Sequence, residues 1–332
     1  MSTSATSKLL EISNLQLCFH TIYGTLYALN GVSLTINKNE AWGIVGETGC
    51  GKSVTASSIL RLVECPPGEY LSGKIMFEGH DLLEASDKEL KQIRGRKIAV
   101  IFQEPRIALN PVIPVGDQII DVIREHQGLT KKEALAITLD LFKEVALPDP
   151  KDILKSYPFE LSGGMCQRIM IAMAMSCNPE LLIADEPTSA LDVTIQSQIL
   201  SLISELREEK KLTLMMISHD LGVIAEVCDM IAIMYAGNIV EKGSTHEIFD
   251  KPLHPYTQSL FKCIPTMTTK PGKLQEISGS VLDLMSPPKG CVFRPRCPFA
   301  YEQCEIEKPP SYAFGSHSVE CHLYKEAADD SQ

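Results

Sequence analysis

The sequence predicts an α/β protein with a parallel sheet at its core. Antiparallel strands lead in, a helix-rich insertion interrupts it, and a small irregular cysteine-rich module ends it. Three observations predict this. Leu181–Ala184 and Leu212–Ile217 are unbroken apolar runs, as strands covered on both faces of a parallel sheet require. Ala41–Val45 is a third short apolar run, followed by Gly46-Glu47-Thr48-Gly49-Cys50-Gly51-Lys52-Ser53 and a helix-forming stretch from Val54 to Leu60. Residues 115–127 and 131–147 have helical spacing and few glycines.

Taken in order, residues 9–20 and 26–37 alternate and predict two antiparallel strands. Lys74–Phe77 is a short strand candidate. Ser86-x-x-Glu89 and Thr130-x-x-Glu133 are capping boxes that each announce a helix. Lys97–Phe102 reads as a strand ending at Gln103. Beyond Gly243 the character changes, and residues 264–321 are proline-rich with few periodic segments. The expected division is 8–264 for the main domain, with the helical insertion at about 104–178, and 265–332 for the C-terminal module.

The bulk properties narrow the classes. With 332 residues, 44% hydrophobic and 22% charged, the chain can bury a sizeable core. Its 42 acidic and 31 basic side chains give a net charge of −11, which argues against nucleic acid as the global partner. No apolar run reaches transmembrane length. Met1–Lys8 lacks the charged start and apolar core of a secretory signal. The 11 cysteines are odd in number and mostly lie inside apolar segments, so a reducing, cytoplasmic setting is expected.

The octamer Gly46–Ser53 fits the phosphate-loop pattern G-x-x-x-x-G-K-[ST] in its required context of strand, loop and helix. Its glycines let backbone N–H groups turn inward, and the helix dipole adds positive potential. Lys52 is placed to reach the β- and γ-phosphates, and Ser53 to ligate Mg²⁺. The same environment predicts a favoured thiolate at Cys50. Leu161-Ser162-Gly163-Gly164 opens a helix and is a second candidate anion site, or an ordinary Ser N-cap. Asp185 and Glu186 end an apolar run, where α/β sheets place ligands; one carboxylate can hold Mg²⁺ and its neighbour polarise a water. Gln103 and His219 each follow a buried strand.

Together these residues resemble the ATP-binding cassette family over about residues 8–250. Gly46–Ser53, running into Val54, is similar to its Walker A loop, Gln103 to the Q-loop and Leu161–Gly164 to the signature. Leu181–Glu186 is similar to the Walker B strand with its catalytic glutamate, Ser189-Ala190-Leu191-Asp192 to the D-loop, and His219 to the switch histidine. Tyr23 falls where the family stacks a ring on adenine, with Phe19 and Tyr27 nearby. The resemblance implies Mg²⁺-ATP held by Lys52, Ser53, Gln103 and Asp185, a water polarised by Glu186, and a head-to-tail pair of cassettes. In that pair Ser162 and Gly164 contact the partner's nucleotide. Met165 departs from the glutamine usual at its position.

His254-Pro255-Tyr256-Thr257 and Cys291-Val292-Phe293-Arg294-Pro295-Arg296-Cys297-Pro298 resemble the C-terminal extension of the oligopeptide/dipeptide importer ATPases. That implies two permease subunits, a second cassette that is a paralogue, a separate solute-binding protein, and a place at the cytoplasmic face of the inner membrane. A nickel or other small-solute importer of the same group, and a soluble cassette ATPase acting on ribosomes or DNA, are the alternatives. Cys291, Cys297, Cys304 and Cys321 are spaced C-x5-C-x6-C-x16-C. Four thiolates in a segment without a good core suit a metal staple. The resemblance implies a [4Fe–4S] cluster; zinc, with His317 or His322 able to replace one cysteine, and free thiols are the alternatives.

Overall fold

A computed structural model describes residues 7–189, 191–263, 277, 279 and 282–325. Among the described residues, twelve strands run in chain order: β1 Lys8–Thr21, β2 Gly24–Asn37, β3 Ala41–Val45, β4 Gly68–Phe77, β5 His80–Asp81, β6 Ile98–Ile101, β7 Leu181–Asp185, β8 Thr213–Ser218, β9 Met230–Tyr235, β10 Asn238–Ser244, β11 Ser311–Phe314 and β12 His317–Glu320. The chain folds into two compact units, each gathered from separate stretches. One takes Met1–Leu10, Ile36–Ala41 and Phe77–Val227; the other takes Glu11–Thr35, Trp42–Met76 and Cys228–Gln332. The expected boundary at 264/265 lies outside the described residues.

The first unit is built on a parallel ladder. β6 pairs with β7 from Ile98↔Leu181 to Ile101↔Ala184, and β7 with β8 from Leu181↔Thr213 to Asp185↔Ile217. All six residues of β8 and the first four of β7 are buried, which accounts for their unbroken apolar runs. The insertion is helical as expected, with Val115–Gln127, Lys131–Glu144 and Gly163–Met175 as its long members. Both capping boxes form, at Ser86/Glu89 and Thr130/Glu133.

In the second unit β2, β1 and β4 lie side by side in that order. Only residues 22 and 23 separate β1 from β2, and so short a connection requires antiparallel strands. β3 pairs in parallel with β9 from Trp42↔Met230 to Val45↔Ile233. β9 and β10 form an antiparallel hairpin through Ala236 and Gly237, with φ of 46° and 75°.

The sequence expectation of an irregular C-terminal module needs correction at one place. Residues 311–320 form the hairpin β11–β12, and β12 pairs antiparallel with β10 through Glu241↔Val319 and Lys242↔Ser318. The strands are four residues each, too short for alternation to register in the sequence.

Candidate nucleotide site

The phosphate loop belongs to the second unit. All five residues of β3 are buried, so the strand is fixed where it releases the chain into the loop. Gly46 is required by space: a Cβ there would lie 2.1 Å from the Met234 carbonyl oxygen and 2.7 Å from Cys50 Sγ. Gly49 and Gly51 are required by conformation, with φ of 82° and 106°. Gly51 is the N-cap of the helix Lys52–Ile59. Thr48, Gly49 and Ser53 are exposed, while Lys52 is buried. The Lys52 ammonium donates to the carbonyls of Gly46 at 2.7 Å and Glu47 at 3.0 Å. The loop therefore stores its cation on its own backbone, and phosphate oxygens would replace those carbonyls.

The expectation of a favoured Cys50 thiolate is not met. Cys50 is only 4% exposed, and burial pushes its thiol up by more than the neighbouring Lys52 ammonium brings it down. Desolvation of an anion outweighs the favourable charge and N–H groups.

Two residues that sequence reasoning did not assign to the site hold this loop. The Glu47 N–H donates to Tyr256 Oη at 3.0 Å. The Glu47 carboxylate takes a two-pronged contact from Arg296, Nη1 to Oε2 at 2.8 Å and Nη2 to Oε1 at 3.0 Å. Both lie in motifs that the sequence analysis noted only for their resemblance.

Tyr256 is fixed in turn. Glu241 is 1% exposed and accepts from the N–H of Leu253 at 2.7 Å, the N–H of His254 at 2.8 Å and His317 Nε2 at 2.7 Å. His254 Nδ1 accepts from the Tyr256 N–H at 3.0 Å. Burial pushes His254 down to about 4, against a smaller opposite pull from Glu241. The unfolded chain then binds more protons than the folded one below the ordinary histidine range near 6.5. His254 contributes its stability above that range and loses it as pH falls towards 4. The effect is roughly 3 kcal/mol in full. His254→Asn keeps an acceptor for Tyr256 without the titration. Its urea midpoint should change less between pH 7 and pH 4.5 than that of the parent chain; equal changes would remove His254 from this role.

Tyr23 sits in the turn between β1 and β2 and is 82% exposed, whereas Phe19 and Tyr27 are partly buried. Of the three rings it is the one presented to solvent as a stacking surface.

The first unit brings three of the expected catalytic residues together. Asp185 ends β7, and Glu186 follows in a left-handed conformation, φ 45°, with its N–H on the Ile217 carbonyl at 2.9 Å. That conformation is unfavourable for a residue with a Cβ, and such strain concentrates at functional sites. Glu186 Oε2 accepts from Gln103 Nε2 at 3.0 Å, and Oε1 lies 3.2 Å from His219 Nδ1. The carboxylate is thus aimed by an amide on one side and an imidazole on the other. The bond to Glu186 uses the Gln103 nitrogen and leaves its carbonyl oxygen as the end that can ligate a cation.

Ser162 caps the helix Gly163–Met175, its Oγ accepting from the Met165 N–H at 3.3 Å. The paired glycines differ in their reasons. A Cβ on Gly163 would meet only Leu191 at ordinary distance, whereas one on Gly164 would lie 2.9 Å from Ile195 Cγ2. Gly164 therefore has a packing reason against the helix Val193–Lys210, and Gly163 has no such steric requirement. Asp192 caps that helix, accepting from the N–H groups of Thr194 at 3.1 Å and Ile195 at 3.0 Å. Ala190 of the expected D-loop lies outside the described residues.

None of the four tail cysteines is in a disulfide, and Cys291, Cys304 and Cys321 are buried. The Cys291 N–H donates to the Cys304 carbonyl at 2.8 Å. Burial pushes Cys291 up to about 11 and Cys321 up to about 12, and the other three cysteines each raise Cys321 further. His317 Nε2 is bonded to Glu241 at 2.7 Å, which leaves Nδ1 as its candidate ligand atom. His322 Nε2 lies 3.0 Å from the Glu307 carbonyl, and its Nδ1 is buried without a partner.

A strand, a glycine loop closing on a helix N-terminus, and a carboxylate aimed at the end of a parallel strand define a phosphate-loop ATPase. Residues 29–189 match the ABC transporter family, and residues 240–304 match the oligopeptide/dipeptide transporter C-terminal region. The chain is 45% identical over 323 residues to the dipeptide transport ATP-binding protein DppD of Bacillus subtilis, covering 97% of this chain and 96% of the relative. It is 46% identical over 318 residues to a probable D,D-dipeptide transport ATP-binding protein, DdpD, of Escherichia coli, covering 95% and 96%. The dimeric, ADP- and phosphate-bound structure of the cassette MJ0796 superposes with a TM-score of 0.64 at 26% identity, covering 71% of this chain and 99% of that one. The chain belongs to the ABC transporter ATPase family, in the group that carries the oligopeptide/dipeptide transporter C-terminal region.

Proposed function

We propose that this chain is the ATP-hydrolysing subunit of an importer for dipeptides or oligopeptides. The observation that carries the hydrolytic part is the Glu186 carboxylate held between Gln103 and His219. In this reading Gly46–Val54 cradles the phosphates, with Lys52 on the β- and γ-phosphates. Ser53, Gln103 and Asp185 hold Mg²⁺, Glu186 polarises the attacking water, and His219 positions it. Tyr23 stacks on adenine. Ser162, Gly163 and Gly164 of one cassette face the nucleotide of a second, paralogous cassette, with Asp192 at the same junction.

The substrate class is supported by the C-terminal match at 240–304 and by the names of the relatives. Two membrane-spanning permeases and a separate solute-binding protein complete the transporter. No helix among the described residues is long and apolar enough to cross a membrane, in keeping with peripheral attachment to the inner membrane's cytoplasmic face.

Cys291, Cys297, Cys304 and Cys321 hold a [4Fe–4S] cluster in this reading. Zinc needs thiolate sulfurs about 3.8 Å apart, as its tetrahedral bonds of about 2.3 Å dictate. No three of these sulfurs lie within 4.8 Å of one another. A four-iron cube takes one cysteine at each corner, and the tail supplies four. Its contribution is a structural staple for a segment with little core of its own. Iron and acid-labile sulfide of about four each per chain, in protein purified without oxygen, are expected. About one zinc per chain instead would reject the cluster and keep the staple; no metal at all would reject both.

A further inference from the structure

We propose that Arg296 is a positioning residue for ATP binding: it neutralises Glu47 inside the phosphate loop and fixes the loop's shape. The proposal rests on the reading that Gly46–Ser53 holds the ATP phosphates. That loop binds a polyanion, yet carries an anion of its own at Glu47. The Arg296 side chain is 4% exposed and that of Glu47 22%, so water screens the pair poorly. The contact is a planar fork on a carboxylate, the arrangement that combines charge with direction. The Arg296 Nη2 also donates to the Ile277 carbonyl at 3.0 Å, and its guanidinium lies 5.8 Å from the Tyr235 ring centre. Tyr235 is the last residue of β9, the strand that pairs with β3.

Glu47 is therefore tied at two points. Tyr256 takes its N–H and Arg296 takes its carboxylate. The residues on either side, Gly46 and Thr48, need no side-chain restraint of their own once Glu47 is held. Without the guanidinium, a half-buried carboxylate stays in the loop and repels the incoming phosphates. The loop also loses the restraint that sets its conformation before ATP arrives. Arg296 directly precedes Cys297, so the staple proposed for the tail cysteines and the phosphate loop share one short piece of chain.

The test measures equilibrium ATP binding and kcat on the full chain. Arg296→Met should weaken ATP binding about tenfold, while kcat at saturating ATP stays within about twofold. Adding Glu47→Gln to that variant should restore most of the affinity, because the repelling charge is then gone. A purely structural role for Arg296 gives no such rescue. Unchanged affinity in Arg296→Met, or a double variant as weak as the single one, overturns the proposal. Should Arg296→Met fail to fold, Arg296→Lys takes its place. It keeps the charge but not the fork, and should weaken ATP by about threefold; unchanged affinity overturns the proposal. Lys52→Ala separates the two levels. If it binds ATP as the parent does, the phosphate-loop reading itself fails; if it binds poorly while Arg296→Met does not, only the Arg296 proposal fails.

Discussion

Glu186→Gln should leave ATP binding intact and slow steady-state hydrolysis by at least about a hundredfold, the range expected when a positioned base is removed. The substitution keeps shape and hydrogen bonding. The glutamine oxygen can still accept from Gln103 Nε2, which now meets Glu186 Oε2 at 3.0 Å. What it removes is the negative charge, and with it the pull on a proton of the attacking water. The left-handed backbone at residue 186 fixes the direction of the side chain, so a nearby carboxylate cannot easily take over. Measured side by side, ATP affinity and turnover should separate cleanly. Turnover within about threefold of the parent chain would remove Glu186 from its role.

Gly46→Ala should be the most damaging single methyl in the loop. Its Cβ would sit 2.1 Å from the Met234 carbonyl oxygen, a backbone atom of β9 that cannot step aside without moving the strand. Forcing such an overlap costs about 3 kcal/mol and displaces the residue from which the loop departs. ATP binding should be lost with it. Gly49→Ala is the control in the same loop. No heavy atom lies within 4 Å of a Cβ there, and only the left-handed φ of 82° opposes it. The expected cost is about 1 kcal/mol. Urea unfolding and ATP binding of the two variants check this, and equal losses would show that space at Gly46 is not the controlling factor.

Much of the fold is legible because the physics is local. β8 must be apolar on both faces, and the run Leu212–Ile217 says so. Ser86/Glu89 and Thr130/Glu133 satisfy helix N-termini within four residues, so their capping boxes can be read without tertiary knowledge. The phosphate loop and the carboxylates after β7 are also readable, since strand, turn and helix are contiguous. What escaped depends on residues distant in sequence. The β11–β12 hairpin is stabilised by pairing with β10, far earlier in the chain, and shows no pattern of its own. The Cys50 thiol is set by how deeply the loop is buried, which spacing cannot reveal. The packing of Gly164 against Ile195 has no local signal either. Arg296 lay inside a recognised motif, yet nothing local connects it with Glu47.

The pairing of Glu47 with Arg296 joins positions 249 residues apart. During synthesis the strand β3 and the glycine loop emerge well before their anchor, which follows 249 residues later. The first unit takes nothing beyond Val227, so its strands and helices can condense while the rest is still being added. The second cannot close until residues beyond Cys228 arrive, because the stretch Phe77–Val227 interrupts its sequence. Such long-range closure is slow. A nascent or prematurely terminated chain therefore carries the ATP motif without its final anchoring. The order of assembly itself delays a fully formed phosphate loop until Arg296 has been added.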